Sequence, residues 1–393
     1  ARAIEKETEV KAFVARLTGY ATAEGANLFQ EEGVPYLFSQ EYASPQVLFM
    51  DGKVAQELSA KWDALGKAEI SQCFQWRGFS LWQAIHHDME LLFKGYFPVL
   101  IRDIETISRI MERARPKALL VTNFFGSVER AAICLAKSRG IGTLGVPFFA
   151  LVEGVPPIDI IIDRIALWGL DMNDYIEQHP ATSKITRTIT GNPGFEYRLR
   201  KLKALSLKTK TPFIKNADGV SSILFLSQAP QKDYTLEKYL KHLDAIHYAT
   251  AALPEYQFVV KLHPTESPDF HAKFLKKYGS QNVVLARDVD LYELLSVSDL
   301  VITHSSIAGF EALLLDKTVI CINLIGESIN GIPYLRDGLA TGVYTKEDLP
   351  QVIKAALNGE IKIGEMRDKR TSILNRYFGE MDGLAAHRVA LEV

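Results

Sequence analysis

The chain has few cysteines, no excess of either charge and no long apolar run. Its three cysteines, Cys73, Cys134 and Cys321, are widely spaced among 393 residues and lie in or beside apolar periodic segments. This spacing excludes a disulfide framework and the usual zinc patterns, and it indicates reduced, mostly buried thiols in a cytoplasmic protein. No apolar stretch reaches the length of a membrane span, and residues 1–17 lack the apolar core of a signal peptide. We therefore expect any membrane contact to be peripheral.

The charges are nearly balanced, with 45 Lys and Arg against 47 Asp and Glu. Without a basic excess or an arginine-rich block, nucleic-acid binding is not indicated. The densest basic segment runs from Arg198 to Lys215. A solvated linker helix is its simpler interpretation, and contact with an anionic membrane face is the alternative. The length exceeds that of most single cores, so the composition indicates two ordinary globular domains.

The order of the periodic segments predicts an α/β fold. Apolar residues recur at helical spacing from Phe79 to about Arg115, with a break expected near Pro98. Short β-rich runs then alternate with helical segments, and a basic, proline-containing segment from about Tyr197 to Gly219 divides two such series. This β-α-β order calls for parallel sheets with helices on their faces. We predict two Rossmann-like domains, residues 1–205 and 206–365, followed by C-terminal helices at 366–393.

The stretch from Asp299 to Leu324 organises the second domain. An apolar run is followed by a polar turn, Thr303–Ser306, then by a helix-compatible segment to Asp316 and a second apolar run. This pattern predicts a strand, a turn, a helix and a strand, with hydroxyl groups where the turn meets the helix. Free backbone N–H groups and the positive end of the helix dipole favour phosphate at such a position.

Polar residues follow three predicted strands of the second domain. Gln228 follows the first, His263 and Pro264 follow the second, and His304, Ser305 and Ser306 follow the fourth. The carboxyl ends of parallel strands share one edge of a sheet, and ligands of open α/β sheets bind there. We therefore expect these residues to surround one ligand, and we include Lys261, which closes the second strand.

Each of these residues also has a simpler explanation. His263 can donate to a phosphate, with Pro264 directing the chain away, or it can bond a neighbouring carbonyl group. Ser305 and Ser306 can cap the helix, contact phosphate, or do both. His304 fits direct contact and a position behind the site equally well. Glu311, two helical turns after His304, can accept hydrogen bonds from ribose hydroxyls, and its alternative is a solvated helix side.

Two acidic or histidine clusters raise the question of a metal. Asp288 and Asp290 could bind a divalent cation, but Asp290 stands at a predicted helix start, where Asp is a favoured N-cap. His86, His87 and Asp88 are adjacent on a predicted helix and point to different sides. We expect no metal and no other cofactor.

Three segments carry a resemblance to a known family: Lys261–Pro264, Leu294–Ile320 and Phe378–Ala390. With Ile189–Glu196 they resemble bacterial GT-B-fold glycosyltransferases of surface-polysaccharide synthesis. The closest groups are CMP-Kdo capsule transferases and CMP-sialic acid transferases. Poly-glycerophosphate transferases and hydrolysing UDP-GlcNAc 2-epimerases are more distant. The resemblance implies two domains with sheets facing a central cleft, an N-terminal acceptor domain, a C-terminal nucleotide-sugar domain and C-terminal helices that cross back as a hinge.

Residue by residue, the resemblance implies that His263, Ser305 and Ser306 contact the CMP phosphate and nucleotide. The sialyltransferases also have an acidic-acidic-Gly motif that supplies a general base, and this chain departs from it. Glu31–Gly33 matches in letters but is typical of a helix end, whereas Glu153 follows a predicted strand of the first sheet. Glu153 is the preferred base, with three further acidic candidates, Asp88, Asp159 and Glu129.

These features predict a cytoplasmic glycosyltransferase. It would transfer a sugar, such as Kdo or a sialic acid activated by CMP, to a glycan or glycolipid acceptor. The alternatives are a UDP-GlcNAc 2-epimerase-like isomerase, a UDP-sugar-dependent transferase on the same fold, and a non-catalytic nucleotide-sugar-binding subunit. Fold alone does not distinguish them.

Overall fold

The computed structural model describes residues 6, 14–16, 36–38, 45–65, 67–148, 160–179, 184–205, 220–230, 234–326, 328–361 and 367–393. The strands in these residues are β1 (Val14–Arg16), β2 (Tyr36–Phe38), β3 (Gln75–Trp76), β4 (Phe79–Ser80), β5 (Ala118–Val121), β6 (Gly142–Gly145), β7 (Arg164–Leu167), β8 (Thr186–Ile189), β9 (Ser222–Leu226), β10 (Gln257–Lys261), β11 (Val283–Ala286), β12 (Leu300–Thr303), β13 (Thr318–Ile322) and β14 (Thr341–Val343). The α-helices are α1 (Pro45–Ala64), α2 (Lys67–Cys73), α3 (Trp82–Leu91), α4 (Phe97–Ala114), α5 (Ser127–Ser138), α6 (Leu170–Glu177), α7 (Pro193–Leu205), α8 (Leu236–Ala252), α9 (Pro268–Tyr278), α10 (Leu291–Val297), α11 (Ile307–Leu314), α12 (Pro333–Arg336), α13 (Leu349–Leu357), α14 (Arg367–Phe378) and α15 (Ala385–Ala390).

The first parallel sheet contains β5, β6, β7 and β8 in chain order. On one side, Ile107 and Met111 of α4 pack against Val128, Ala132 and Ala136 of α5. The predicted break before α4 is present as a π-helical turn, Leu92–Tyr96, and Pro98 lies in the first turn of α4. A proline is tolerated there because the first helical N–H groups have no intrahelical partner.

The second parallel sheet has six strands in the order β11-β10-β9-β12-β13-β14. The first strand, β9, therefore lies in the middle of the sheet. The next two strands extend the sheet on one side of β9, and β12, β13 and β14 extend it on the other. The central strand β9 is buried throughout, with Ile223 and Phe225 on one face and Leu224 and Leu226 on the other. Such continuous burial is typical of a parallel strand covered on both faces, and this sheet has the Rossmann strand order.

Helix α14 packs between elements of both sheets. Phe378 is stacked on Trp168, which follows β7, with the ring centroids 6.0 Å apart, and it contacts Phe310 of α11 edge to face at 5.1 Å. Gly169 allows this approach, since a Cβ atom there would lie 2.2 Å from the carbonyl oxygen of Arg376. The C-terminal segment thereby helps to position α11 relative to the first sheet.

Beyond α14, helix α15 is attached to the end of the first sheet. The carboxylate of Glu196 in α7 accepts hydrogen bonds from the backbone N–H groups of Gly383 at 3.0 Å and Ala385 at 2.9 Å. The Arg388 side chain donates to the carbonyl oxygen of Thr190 at 2.7 Å. Helices α7 and α15 are thus held together at the end of β8.

One expectation about individual residues changes in the structure. Cys321 is buried as predicted, but Cys73 and Cys134 are exposed, so the prediction of mostly buried thiols is wrong for these two. Helical periodicity alone did not reveal that Cys134 lies on the outer side of α5. Glu31–Gly33, with its predicted helix end, lies outside the described residues. Among the described helices, none is both long and apolar enough to span a membrane.

Candidate functional site

The candidate site lies at the carboxyl edge of the second sheet, between β9 and β12. These neighbouring strands are where the strand order reverses, which is the position at which open α/β sheets form a ligand crevice. Gln228 after β9 accepts a hydrogen bond from the backbone N–H of Ser305 at 3.0 Å, and its amide nitrogen donates to the Ser305 hydroxyl at 3.5 Å. The predicted convergence of these two strand ends is confirmed.

Helix α11 starts directly at this point. Ser306 is its N-cap, and the hydroxyl oxygen accepts from the N–H of Ala308 at 3.2 Å. Gly309 allows the first turn of α11 to lie close to β12. A Cβ atom at this position would be only 3.1 Å from the Thr303 side chain and from the Tyr334 ring. The capping interpretation of Ser306 is therefore confirmed, and Ser305, which precedes the cap, stays half-buried beside Gln228.

His263 follows β10, the strand on the other side of β9, and its side chain is exposed. Its Nδ1 atom accepts from the backbone N–H of Thr265 at 3.3 Å and lies 2.8 Å from the Thr265 hydroxyl oxygen. Because Nδ1 acts as an acceptor, the neutral ring carries its proton on Nε2. The imidazole is thus held as a donor at the edge where the sheet ends, followed by the exposed Pro264.

A buried carboxylate that the sequence analysis missed joins these strand ends. Glu266 is 2% exposed. Its Oε1 atom accepts from Ser227 at 2.8 Å, from His271 at 2.7 Å and from the Tyr239 hydroxyl, and its Oε2 atom accepts from the His263 backbone N–H at 3.0 Å. Burial opposes ionisation, but these hydrogen bonds together hold the pKa of Glu266 below its ordinary value. No periodicity places a loop residue in the interior, so the sequence carried no signal for it.

Lys261 contacts the neighbouring loop. Its ammonium group donates to the carbonyl oxygen of Arg287, which follows β11, and burial lowers its pKa. The Arg287 side chain in turn donates to the carbonyl oxygen of Glu266. These contacts connect the ends of β10 and β11. The predicted contact between Lys261 and nucleotide stays a prediction.

His304 lies beneath the turn and is 3% exposed. Its Nδ1 atom lies 2.9 Å from the carbonyl oxygen of Ile322, and its ring is stacked on Tyr234 with centroids 5.2 Å apart and tilted against His242 at 4.5 Å. The ring therefore has little surface to offer a ligand. Of its two predicted roles, these contacts fit a position behind the site that holds the turn.

Glu311 forms an ion pair between elements of the two halves. It is 4% exposed, and its Oε1 atom accepts from Arg198 of α7 at 3.0 Å. Burial raises the pKa of Glu311, while Arg198 acts in the opposite direction. Glu311 therefore does not lie on a solvated side of the helix, which was the alternative interpretation. One carboxylate oxygen is already engaged by Arg198, and the ribose role stays a prediction.

The acidic residues considered as bases fall in different places. Glu153 and Asp159 lie outside the described residues. Asp88 is exposed on α3, whereas Glu129 is half-buried in the first turn of α5, at the carboxyl edge of the first sheet. Of the two described candidates, Glu129 alone follows a strand end.

The possible metal ligands have other roles or are separated from the site. Asp290 is the N-cap of α10 and accepts from the N–H groups of Tyr292 at 2.8 Å and Glu293 at 3.2 Å. Asp288, His86 and His87 are exposed. Within the part of the chain that the structure describes, no three His, Cys, Asp or Glu side chains converge as a metal site.

Comparisons with known proteins agree with this architecture. A sequence profile described as "Capsule polysaccharide biosynthesis protein" matches residues 234–368, about a third of the chain. No curated protein sequence matches. Among solved structures, a protein from Listeria monocytogenes provisionally assigned as a UDP-N-acetylglucosamine 2-epimerase is 17% identical, with a TM-score of 0.55 over 74% of this chain and 77% of that chain.

Two further structures are similar. The UDP-GlcNAc 2-epimerase of Neisseria meningitidis, bound to UDP-GlcNAc, is 17% identical, with a TM-score of 0.52 over 73% of this chain and 80% of that one. The UDP-GlcNAc 2-epimerase of Methanocaldococcus jannaschii is 15% identical, with a TM-score of 0.54 over 75% and 81%. At these identities the likeness shows the fold. The predicted GT-B-like α/β fold is confirmed.

Proposed function

We propose that this protein is a nucleotide-sugar-dependent glycosyltransferase of capsule or lipopolysaccharide biosynthesis. The observation that carries this proposal is the contact between Gln228 and Ser305 at the point where the strand order of the second sheet reverses. His263 follows the adjacent strand β10 with its Nε2 proton available, and Ser306, directly after Ser305, is the N-cap of α11. Hydroxyl, imidazole and helix-end amide groups together suit a nucleotide phosphate.

The proposed donor is a CMP-activated acidic sugar such as Kdo or a sialic acid. The likeness of His263, Ser305 and Ser306 to the CMP-dependent transferase motifs supports CMP, and the capsule profile over residues 234–368 supports a polysaccharide product. The first half, proposed as residues 1–205, would bind a glycan or glycolipid acceptor. We propose that the protein uses no metal cofactor, because helix-end N–H groups and side-chain donors would contact the phosphate instead.

The proposed chemistry needs a base for the acceptor and donors for the leaving group. A carboxylate within hydrogen-bond reach, with Glu153 preferred and Glu129 as an alternative, would take the proton from the acceptor hydroxyl as it attacks the anomeric carbon. The bond to the nucleotide phosphate breaks, and the phosphate gains charge. His263 Nε2–H and the Ser305 hydroxyl would stabilise this charge.

A second candidate is a UDP-GlcNAc 2-epimerase-like isomerase. Three solved proteins with this fold carry that name, and one of them is bound to UDP-GlcNAc. Product analysis separates the two candidates. A transferase releases nucleotide and forms a product only with an acceptor, whereas the isomerase inverts C2 of UDP-GlcNAc without one.

The first test is a thermal-shift panel of CMP, CDP, UDP and GDP. A ligand that binds only the folded protein raises its apparent stability by about 2.7 kcal/mol at a hundredfold excess over Kd. We expect the largest shift with CMP and its loss in His263→Ala. His87→Ala, which removes an exposed histidine from α3, is the matched control and should keep the full shift. An unchanged shift in His263→Ala would remove His263 from the site.

A further inference from the structure

The carboxylate of Glu266 divides its hydrogen bonds between two kinds of partner. Oε1 accepts from three side chains of the interior and strand end, Ser227, Tyr239 and His271. Oε2 accepts from one group, the backbone N–H of His263. Oε1 is therefore hydrogen-bonded to the interior, and Oε2 is hydrogen-bonded to the loop that carries the exposed imidazole of His263.

The location of Glu266 links this network to the candidate site. Ser227 directly precedes Gln228 at the end of β9, and His263 follows the adjacent strand β10, so one carboxylate connects the loops that follow these two strands. Tyr239 and His271 extend the attachment into α8 and α9. A buried charge is costly to desolvate, and packing alone could be satisfied by apolar residues of similar volume.

We propose that Glu266 is a positioning residue of the nucleotide site, holding the backbone of His263 and the end of β9 in one arrangement. This rests on the proposed function. Residues that bind or catalyse need supporting groups to hold them within a fraction of an ångström. Glu266 provides such support from the interior. Its carboxylate bonds the backbone N–H of His263, whereas the imidazole of His263 bonds Thr265.

Glu266→Gln separates the two functions of this carboxylate. Glutamine has the same shape but only one acceptor oxygen, and its NH2 group is a donor. Three donors converge on the Oε1 position, so the amide oxygen is expected there. The NH2 group must then face the His263 N–H, and two donors cannot bond each other. The variant therefore breaks the link to the loop selectively.

Tyr239→Phe is the matched control. It removes one donor to Oε1 and leaves the bond between Oε2 and the His263 N–H in place. Both variants should lower the melting temperature, since each weakens a buried hydrogen bond. Their effects on nucleotide binding should differ.

The test measures melting temperature and calorimetric Kd for CMP in the wild type and both variants. We expect Kd to rise roughly tenfold to a hundredfold in Glu266→Gln and to stay within about twofold in Tyr239→Phe. Equal losses in the two variants, or normal affinity in Glu266→Gln, would overturn the proposal. If Glu266→Gln does not fold, Glu266→Asp applies the same test, because its shorter carboxylate withdraws from the loop.

A second measurement does not depend on the nucleotide. In ¹⁵N-histidine-labelled protein, His263 should show a single tautomer with the proton on Nε2, and Glu266→Gln should mix the tautomers as the loop loosens. Absence of nucleotide binding in the wild type would contradict the proposed function alone. An unchanged His263 signal in folded Glu266→Gln would contradict the positioning role.

Discussion

Gln228 uses both ends of its amide to contact Ser305, with the oxygen accepting from the backbone and the nitrogen donating to the hydroxyl. Replacing Gln228 by Glu keeps the shape and the acceptor but removes the donor. It also adds a negative charge beside the proposed phosphate, where like charges repel. We expect Gln228→Glu to raise the Kd for CMP at least about tenfold, measured by calorimetry.

The variant Gln228→Ala separates the effect of the added charge from the effect of losing the hydrogen bonds. It removes both hydrogen bonds without adding a charge, so its affinity should fall less than that of Gln228→Glu. Because Gln228 is only half-buried, both variants should fold with melting temperatures near that of the wild type. Equal affinity of Gln228→Glu and the wild type would place the phosphate elsewhere.

Helix α10 gives a prediction at the scale of a single element, because Asp290 caps its first turn. Asn is an equally good N-cap, whereas Ala is not, and loss of a cap costs about 1 kcal/mol. We expect Asp290→Ala to lower the free energy of unfolding by that amount in urea titrations. Asp290→Asn should be nearly neutral.

The same pair of variants tests the metal interpretation of Asp288 and Asp290. An amide is a weaker ligand for a divalent cation than a carboxylate, so a metal site would be impaired in Asp290→Asn. Loss of activity in Asp290→Asn that added Mg²⁺ restores would contradict the expectation that no metal binds at Asp288 and Asp290.

Local pattern was sufficient to predict the elements around the site. The strand, turn and helix between Asp299 and Asp316 follow from apolar periodicity and the preference of Ser for an N-cap, and the structure contains them. The burial of Glu266 and the partner of Glu311 could not be predicted. Arg198 lies 113 residues before Glu311, and Tyr239 lies 27 residues before Glu266, so both contacts depend on tertiary packing.

The whole molecule should lose stability in mild acid. Burial lowers the pKa of His242 and of His247 to about 3, with neighbouring histidines adding to the effect. The unfolded chain protonates these side chains below about pH 6.5, so between these pH values the unfolded state binds more protons than the folded state. We expect the free energy of unfolding to fall by roughly 2 kcal/mol between about pH 7 and pH 5.5.

Urea unfolding at the two pH values measures this difference. His247→Gln should reduce the pH dependence by about half, since it removes one of the two groups. His87→Gln, at an exposed position, should leave it unchanged. A stability that does not change between the two pH values would show that both histidines protonate in the folded protein.

The docking of Phe378 against Trp168 also has a consequence for how the protein is made. Asp174, just after Trp168, pairs with Arg376, 202 residues later. Chains emerge from the ribosome with the N-terminal part first, and exposed apolar surface in that interval favours aggregation. The apolar face around Trp168 is covered only when α14 has been synthesised. The core of the first sheet is therefore completed only after the second sheet has been translated.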